Sequence, residues 1–136
     1  AMTGAFGYEL DPGKLTDREK EEVKEQVIRF KGYADLVREG DYYRLSDPFR
    51  DSCGAWMFVS PDGAKALVNV VMLEVHGNMP VTYVRLKGLK PEGIYEDAES
   101  RRRYSGAALM NAGLPMPLRM GEYPAYQMEL NEVQLS

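Results

Sequence analysis

Ala55-Trp56-Met57-Phe58-Val59, then Ser60-Pro61-Asp62-Gly63, then Ala66-Leu67-Val68-Asn69-Val70-Val71-Met72-Leu73 is the stretch whose reading decides the fold. Two apolar runs rich in β-branched and aromatic residues flank a short polar turn holding Pro and Gly, which is the pattern of a β-hairpin. Side chains alternate across a strand, so Trp56 and Phe58 share one face and are expected in the core.

Downstream the same texture continues. Val81-Thr82-Tyr83-Val84-Arg85-Leu86 reads as a third strand. Ile94-Tyr95-Glu96 and Arg102-Arg103-Tyr104 read as short strands on either side of the turn Asp97-Ala98-Glu99-Ser100. Ser105 to Gly113 holds a single helical turn or a loop. Tyr123 to Leu130 alternates well enough for a last strand, with Pro124 near its start, where the missing N–H is tolerated. Short strands spaced by turn residues argue for an antiparallel β-sandwich.

Upstream the period changes. From Leu15 to about Arg38 apolar residues recur at Val23, Val27, Phe30, Ala34 and Val37, a helical stripe. Thr16 and Glu19 form an S/T-x-x-E capping box at its start, and Gly40 is a suitable stop. Asp11-Pro12-Gly13 before it is a turn. The expected fold class is therefore mainly β: an antiparallel β-sandwich preceded by one long amphipathic helix, whose stripe needs a partner surface.

The 136 residues suffice for one domain with a real core, at 44% hydrophobic and 28% charged residues. With 17 Lys+Arg against 21 Asp+Glu the net charge is −4, so the broad basic face that a nucleic-acid partner requires is lacking. Arg101-Arg102-Arg103 is preceded by Glu96, Asp97 and Glu99 and reads as a locally neutralised, solvated turn. Cys53, a single cysteine, excludes an internal disulfide and suits a cytoplasmic location. No apolar run approaches the ~20 residues that span a bilayer, so no membrane partner is expected.

Residues able to do chemistry are few. His76, alone at a strand end, supplies neither a metal site nor a triad. Cys53 in Asp51-Ser52-Cys53-Gly54 reads as a turn residue without a thiol partner. Gly4-Ala5-Phe6-Gly7 lacks the spacing of a phosphate-binding loop. The carboxylates Glu19, Glu21, Glu22 and Glu25 belong to a solvated helix face. No catalytic, substrate-binding, cofactor-binding or metal residue is assigned, and no cofactor is expected.

Four strings in order give the chain a family likeness. They are Phe6-Gly7-Tyr8-Glu9-Leu10-Asp11 with the helix and its exit Tyr42-Tyr43-Arg44-Leu45-Ser46-Asp47-Pro48-Phe49; Ala55 to Ser60; Arg85-Leu86-Lys87-Gly88-Leu89; and Tyr104-Ser105-Gly106 with Leu109-Met110-Asn111-Ala112-Gly113-Leu114. Together they resemble the closing part of the bacterial family 36 glycoside hydrolases, the α-galactosidases (melibiases). The resemblance implies a (β/α)8 catalytic barrel upstream and a terminal all-β domain here. It also implies a parent that cleaves terminal α-galactosyl linkages by a retaining two-carboxylate mechanism. The family's acid/base lies in Ser-Asp-Asn, whereas Ser46-Asp47 is followed by Pro48. Its nucleophile follows a Trp, whereas Trp56 is followed by Met57. Neither catalytic carboxylate carries over.

On this reading residues 1–39 are the tail of the barrel with its terminal helix, and 40–136 are the C-terminal sandwich domain. The lead-in Ala1-Met2-Thr3-Gly4-Ala5 is read as mid-chain sequence, so the chain is expected to be a fragment. The expected partner is the barrel of the same parent, with room for a homo-oligomer. The expected role is non-catalytic: bracing the barrel and helping oligomers assemble. Two alternatives stay open. Tyr42, Tyr43, Trp56, Phe58, Tyr83, Tyr95, Tyr104, Tyr123 and Tyr126 could furnish a carbohydrate-binding module. The eight Met and Leu114-Pro115-Met116-Pro117-Leu118 could furnish a free-standing assembly domain.

Overall fold

The computed structural model describes residues 3–4, 6–74, 81–117 and 123–134. A 3-10 turn, Pro12–Lys14, is capped by the Asp11 carboxylate and leads to helix α1, Asp17–Glu39. The Thr16 hydroxyl accepts from Glu19 N–H while the Glu19 carboxylate accepts from Thr16 N–H at 2.8 Å, so the capping box is complete. The Thr16 N–H, and then the Thr16 hydroxyl donating to the same carboxylate at 2.7 Å, hold the Glu19 carboxyl below its ordinary pKa.

Eight strands follow among the described residues: β1 Asp41–Arg44, β2 Cys53–Val59, β3 Lys65–Met72, β4 Tyr83–Val84, β5 Ile94–Asp97, β6 Arg103–Ser105, β7 Leu114–Pro115 and β8 Ala125–Val133, with a short helix α2, Gly106–Asn111, between β6 and β7. Six form one antiparallel sheet in the order β1-β2-β3-β8-β5-β6, and β4 pairs with β7 in a two-stranded ribbon.

The β2–β3 hairpin is where the sequence places it, with Val59 opposite Ala66 and Cys53 opposite Met72. Its turn closes through Ser60 N–H to the Lys65 carbonyl (2.9 Å), and the Asp62 carboxylate takes the Ser60 hydroxyl and Ala64 N–H. Gly63, at φ +71, supplies the left-handed residue of that turn. From β5, the buried Tyr95 reaches back to it: its hydroxyl donates to the Gly63 carbonyl at 2.6 Å and accepts from Lys90 N–H at 2.9 Å.

The core lies between the large sheet and the ribbon with α2. Cys53, Ala55, Met57 and Val59 of β2 face it, with Ala66, Val68, Val70 and Met72 of β3 and Leu130 of β8. From the covering side come Val84, Leu86, Leu109, Leu114 and Met116. The sandwich is thus uneven, one broad sheet closed by a narrow lid. Helix α1 packs on the other face, over β2 and β3.

Three readings need correction. Cys53 is not in a turn: it opens β2, is buried, and is paired with Met72, because strand pairing extends two residues beyond the apolar run. The strand read at 81–86 shrinks to β4, since Leu86 N–H bonds to the Leu109 carbonyl rather than to a strand. Trp56 and Phe58 do share a face, but it is the one beneath α1, not the sandwich core. Strands β1 and β7 were not legible, being short and completed only by partners distant in sequence. His76 lies outside the described residues.

Candidate functional site

One row of polar and aromatic side chains lies on the helix-covered face of the sheet. Cross-strand register there makes a row, Arg44–Trp56–Asn69–Gln127, running over β1, β2, β3 and β8. Gln127 Nε2 donates to Asn69 Oδ1 at 3.0 Å. Trp56 Nε1 donates to the Thr3 hydroxyl at 3.3 Å, which ties the start of the described chain to the middle of β2.

Helix α1 adds Arg29 and Tyr33. β5 pairs with β8 only from Leu130 to Val133, so the first half of β8 has no strand on that side among the described residues. Arg29 Nη2 takes the carbonyl left open there, that of Gln127, at 3.2 Å. Tyr33, 2% exposed, is the one fully buried residue of α1 among those described. Burial pushes its hydroxyl pKa up, partly offset by the neighbouring Gln127 amide and Arg29. The Gln127 amide lies beside that oxygen, yet neither Tyr33 Oη nor Asn69 Nδ2 completes a hydrogen bond of ordinary geometry. A groove of about 1010 Å³ opens along this half of β8, with Gln26, Arg29, Asn69 and Gln127 on one bank and Asp97, Arg102 and Tyr104 on another.

The apolar stripe of α1 does not face this seam. At 3.6 residues per turn, Val23, Val27, Phe30, Ala34 and Val37 centre about 80° around the helix from Tyr33. All five are only half-buried. Part of their cover comes from the N-terminal segment: the Phe6 ring stacks on Phe30 at 4.7 Å, and the Tyr8 hydroxyl bonds to Gln26.

The other candidates resolve into structural roles. The Ser46 hydroxyl accepts from Ala55 N–H at 2.6 Å. Asp47 caps its own turn, accepting from Phe49 N–H at 3.0 Å, while the Asp51 carboxylate accepts from Asp47 N–H at 2.7 Å. Burial, then the nearby Asp51 charge, pushes the Cys53 thiol pKa up, away from nucleophile behaviour. Within the arginine run, Arg101 and Arg103 clamp the buried Glu96 carboxylate at 2.9 and 2.8 Å, so the neutralisation read from sequence is a specific three-residue pairing. Among the described residues no three His, Cys, Asp or Glu side chains gather as metal ligands.

Residues 54–130, more than half of the chain, match the glycosyl hydrolase family 36 C-terminal domain. The chain belongs to this family. Over 134 residues it is 51% identical to the bifunctional alpha-galactosidase/sucrose kinase AgaSK of Mediterraneibacter gnavus, covering 98% of the chain but 14% of that protein. It is 43% identical to alpha-galactosidase AgaA of Geobacillus stearothermophilus, covering 98% of the chain and 18% of that protein. The solved galactosidase domain of AgaSK superposes with a TM-score of 0.91 over 98% of this chain and 18% of that one. The α-galactosidase from Lactobacillus brevis, 30% identical, also superposes at 0.91, over 100% of this chain and 19% of that one. This family 36 C-terminal domain therefore spans under a fifth of the relatives it matches.

Proposed function

We propose that this chain is the non-catalytic C-terminal part of an α-galactosidase and that it braces the catalytic barrel of the same polypeptide. The parent would hydrolyse terminal α-galactosyl linkages by a retaining, two-carboxylate mechanism. On this reading residues 1–39 close the barrel and 40–136 form the terminal sandwich. A cytoplasmic setting fits the buried, unpaired thiol of Cys53.

The observation that carries the proposal is the double face of α1. Tyr33 and Arg29 dock the helix onto its own sheet, while the stripe from Val23 to Val37 is turned about 80° away and half-covered. A helix shared between two layers buries both faces. In the relatives the matching 134 residues accompany several times as much chain, which leaves room for a second layer against that stripe. Barrel active sites form on loops at the C-terminal ends of the strands, so a brace on the terminal helix leaves substrate untouched.

Deleting residues 41–136 from the full-length protein should lower its thermal midpoint by several degrees or more and promote aggregation. An unchanged midpoint would overturn the bracing role. Release of galactose from an α-galactoside by the chain alone would overturn its non-catalytic character.

A second reading, carbohydrate binding, is favoured by the groove beside β8, where side-chain amides, Arg29 and Tyr104 are of a kind that sugars use. Titration with galactose, melibiose and raffinose while following Trp56 fluorescence tests it. No shift at millimolar sugar removes that reading.

A further inference from the structure

One apolar side chain is held almost wholly in water. Phe49, at the tip of the β1–β2 loop, is 95% exposed, in a chain whose other phenylalanines are buried or half-buried. The loop that carries it is not slack. Asp47 Oδ1 accepts from Phe49 N–H, the Asp47 carbonyl accepts from Arg50 N–H at 3.0 Å and Asp51 N–H at 2.8 Å, and Asp51 Oδ2 accepts from Asp47 N–H. The flanks are pinned by the β1–β2 register and by the Ser46 hydroxyl on Ala55 N–H. A pre-ordered turn presenting a large ring has already lost the entropy that an interface would otherwise have to remove, and aromatic anchors of this kind dominate binding energy.

Topology says what would meet it. β1 runs from Val59 toward Trp56, so its exit loop lies at the Cys53 end of β2. The chain makes a tight connection at Gly40 between α1 and β1, and Arg29 lies over the Trp56–Gln127 row. The N-terminal half of α1, with Val23 and Val27, therefore points to the same end of the sheet as Phe49. Thr3, bonded to Trp56, brings the start of the described chain onto the same helix-covered face, at the middle of β2. Tyr123, 66% exposed and just ahead of β8, stands at this end too. The relatives carry several times as much chain, and ahead of a domain that matches a C-terminal family model that remainder would enter through this N-terminal segment.

Building on the bracing role proposed above, we infer that Phe49 is the anchor of that contact. Its ring inserts into an apolar pocket on the catalytic portion of the same polypeptide, with the half-covered stripe of α1 as the neighbouring part of the interface. The occupant of this surface is the parent's own barrel rather than a second copy.

The test is thiol accessibility in the full-length protein carrying Phe49→Cys, with Glu92→Cys in an exposed turn as the free reference and Val23→Cys as the probe of the helix stripe. A maleimide should modify the Phe49→Cys thiol roughly tenfold or more slowly than the reference, at every protein concentration. Equal rates at Phe49→Cys and the reference, with Val23→Cys protected, would overturn the anchor and leave the bracing role standing. Equal rates at all three positions would overturn both. Protection of Phe49→Cys that vanishes on dilution would overturn the barrel as occupant and assign the surface to a second copy. As a measurement free of new thiols, Phe49→Leu should lower the full-length thermal midpoint less than Phe49→Asp does, an order that a solvent-exposed side chain would not produce.

Discussion

Met57 and Val68 lie opposite one another on β2 and β3, facing the ribbon, and both are at most 1% exposed. One residue along, on the opposite face, Trp56, Asn69 and Gln127 form a row of rings and amides beneath α1. The two rows are adjacent in sequence and a strand's thickness apart, yet one is dry and apolar, while the other, with Tyr33 of α1 beside it, brings together two buried polar atoms without a completed hydrogen bond. Apolar burial, at ~1.5–3 kcal/mol per large side chain, is the ordinary means of holding a sheet to its cover. Buried amides add little net stability and cost when left unpaired. The core face therefore holds the domain together, while the helix face is a seam where stability has been traded for polar contacts.

The sharpest test of the core face lies where its cover approaches most closely. A Cβ on Gly106, at the start of α2, would fall 1.9 Å from the Lys90 carbonyl oxygen, in backbone that cannot yield cheaply. Gly106→Ala is expected to lose about 4 kcal/mol or more, or to yield no folded protein, as read by urea unfolding. Met57→Ala should follow, at about 3 kcal/mol from lost transfer energy plus the cavity left behind.

Smaller effects should mark the seam. Asn69→Leu alone strands the Gln127 amide and should cost about 1–2 kcal/mol, whereas Asn69→Leu with Gln127→Leu should come close to neutral. A double-mutant cycle with strictly additive losses would show that the amide pair is not a unit. Tyr33→Phe should be neutral or stabilising by up to about 1 kcal/mol, since it removes a buried hydroxyl with no completed bond. A loss of that size instead would show the hydroxyl to be bonded to Gln127.

The smallest effect is a pH slope. Burial is the first cause that raises the tyrosine pKa at both Tyr33 and Tyr95. The unfolded chain thus gives up these protons first, near the ordinary value of about 10. The stability they contribute is intact below that pH and is lost as the pH climbs through the folded values. Tyr33→Phe should flatten the decline above pH 10, measured by unfolding midpoint against pH.

How much of this was written in local sequence differs by element. The β2–β3 hairpin and α1 were legible because each carries its own period and its own stop: Ser60 to Gly63 for the turn, Thr16 with Glu19 for the cap. Strand β1 was not, since Asp41–Arg44 has no alternation of its own and is a strand only because β2 offers it an edge. The absence of both family catalytic motifs was legible as well, because a motif is a matter of neighbours along the chain.

Sequence alone thus determined α1 and the β2–β3 hairpin, the mainly β class and the likeness to the end of a family 36 enzyme, all of which depend on short-range periodicity and local strings. Tertiary structure decided which face of β2 is core, that Tyr33 rather than the apolar stripe docks α1, that Glu96 sits between Arg101 and Arg103, and that Phe49 stands in water. The physical reason is that alternation says two residues share a face but not which face is covered. That choice belongs to segments arriving from tens of residues away.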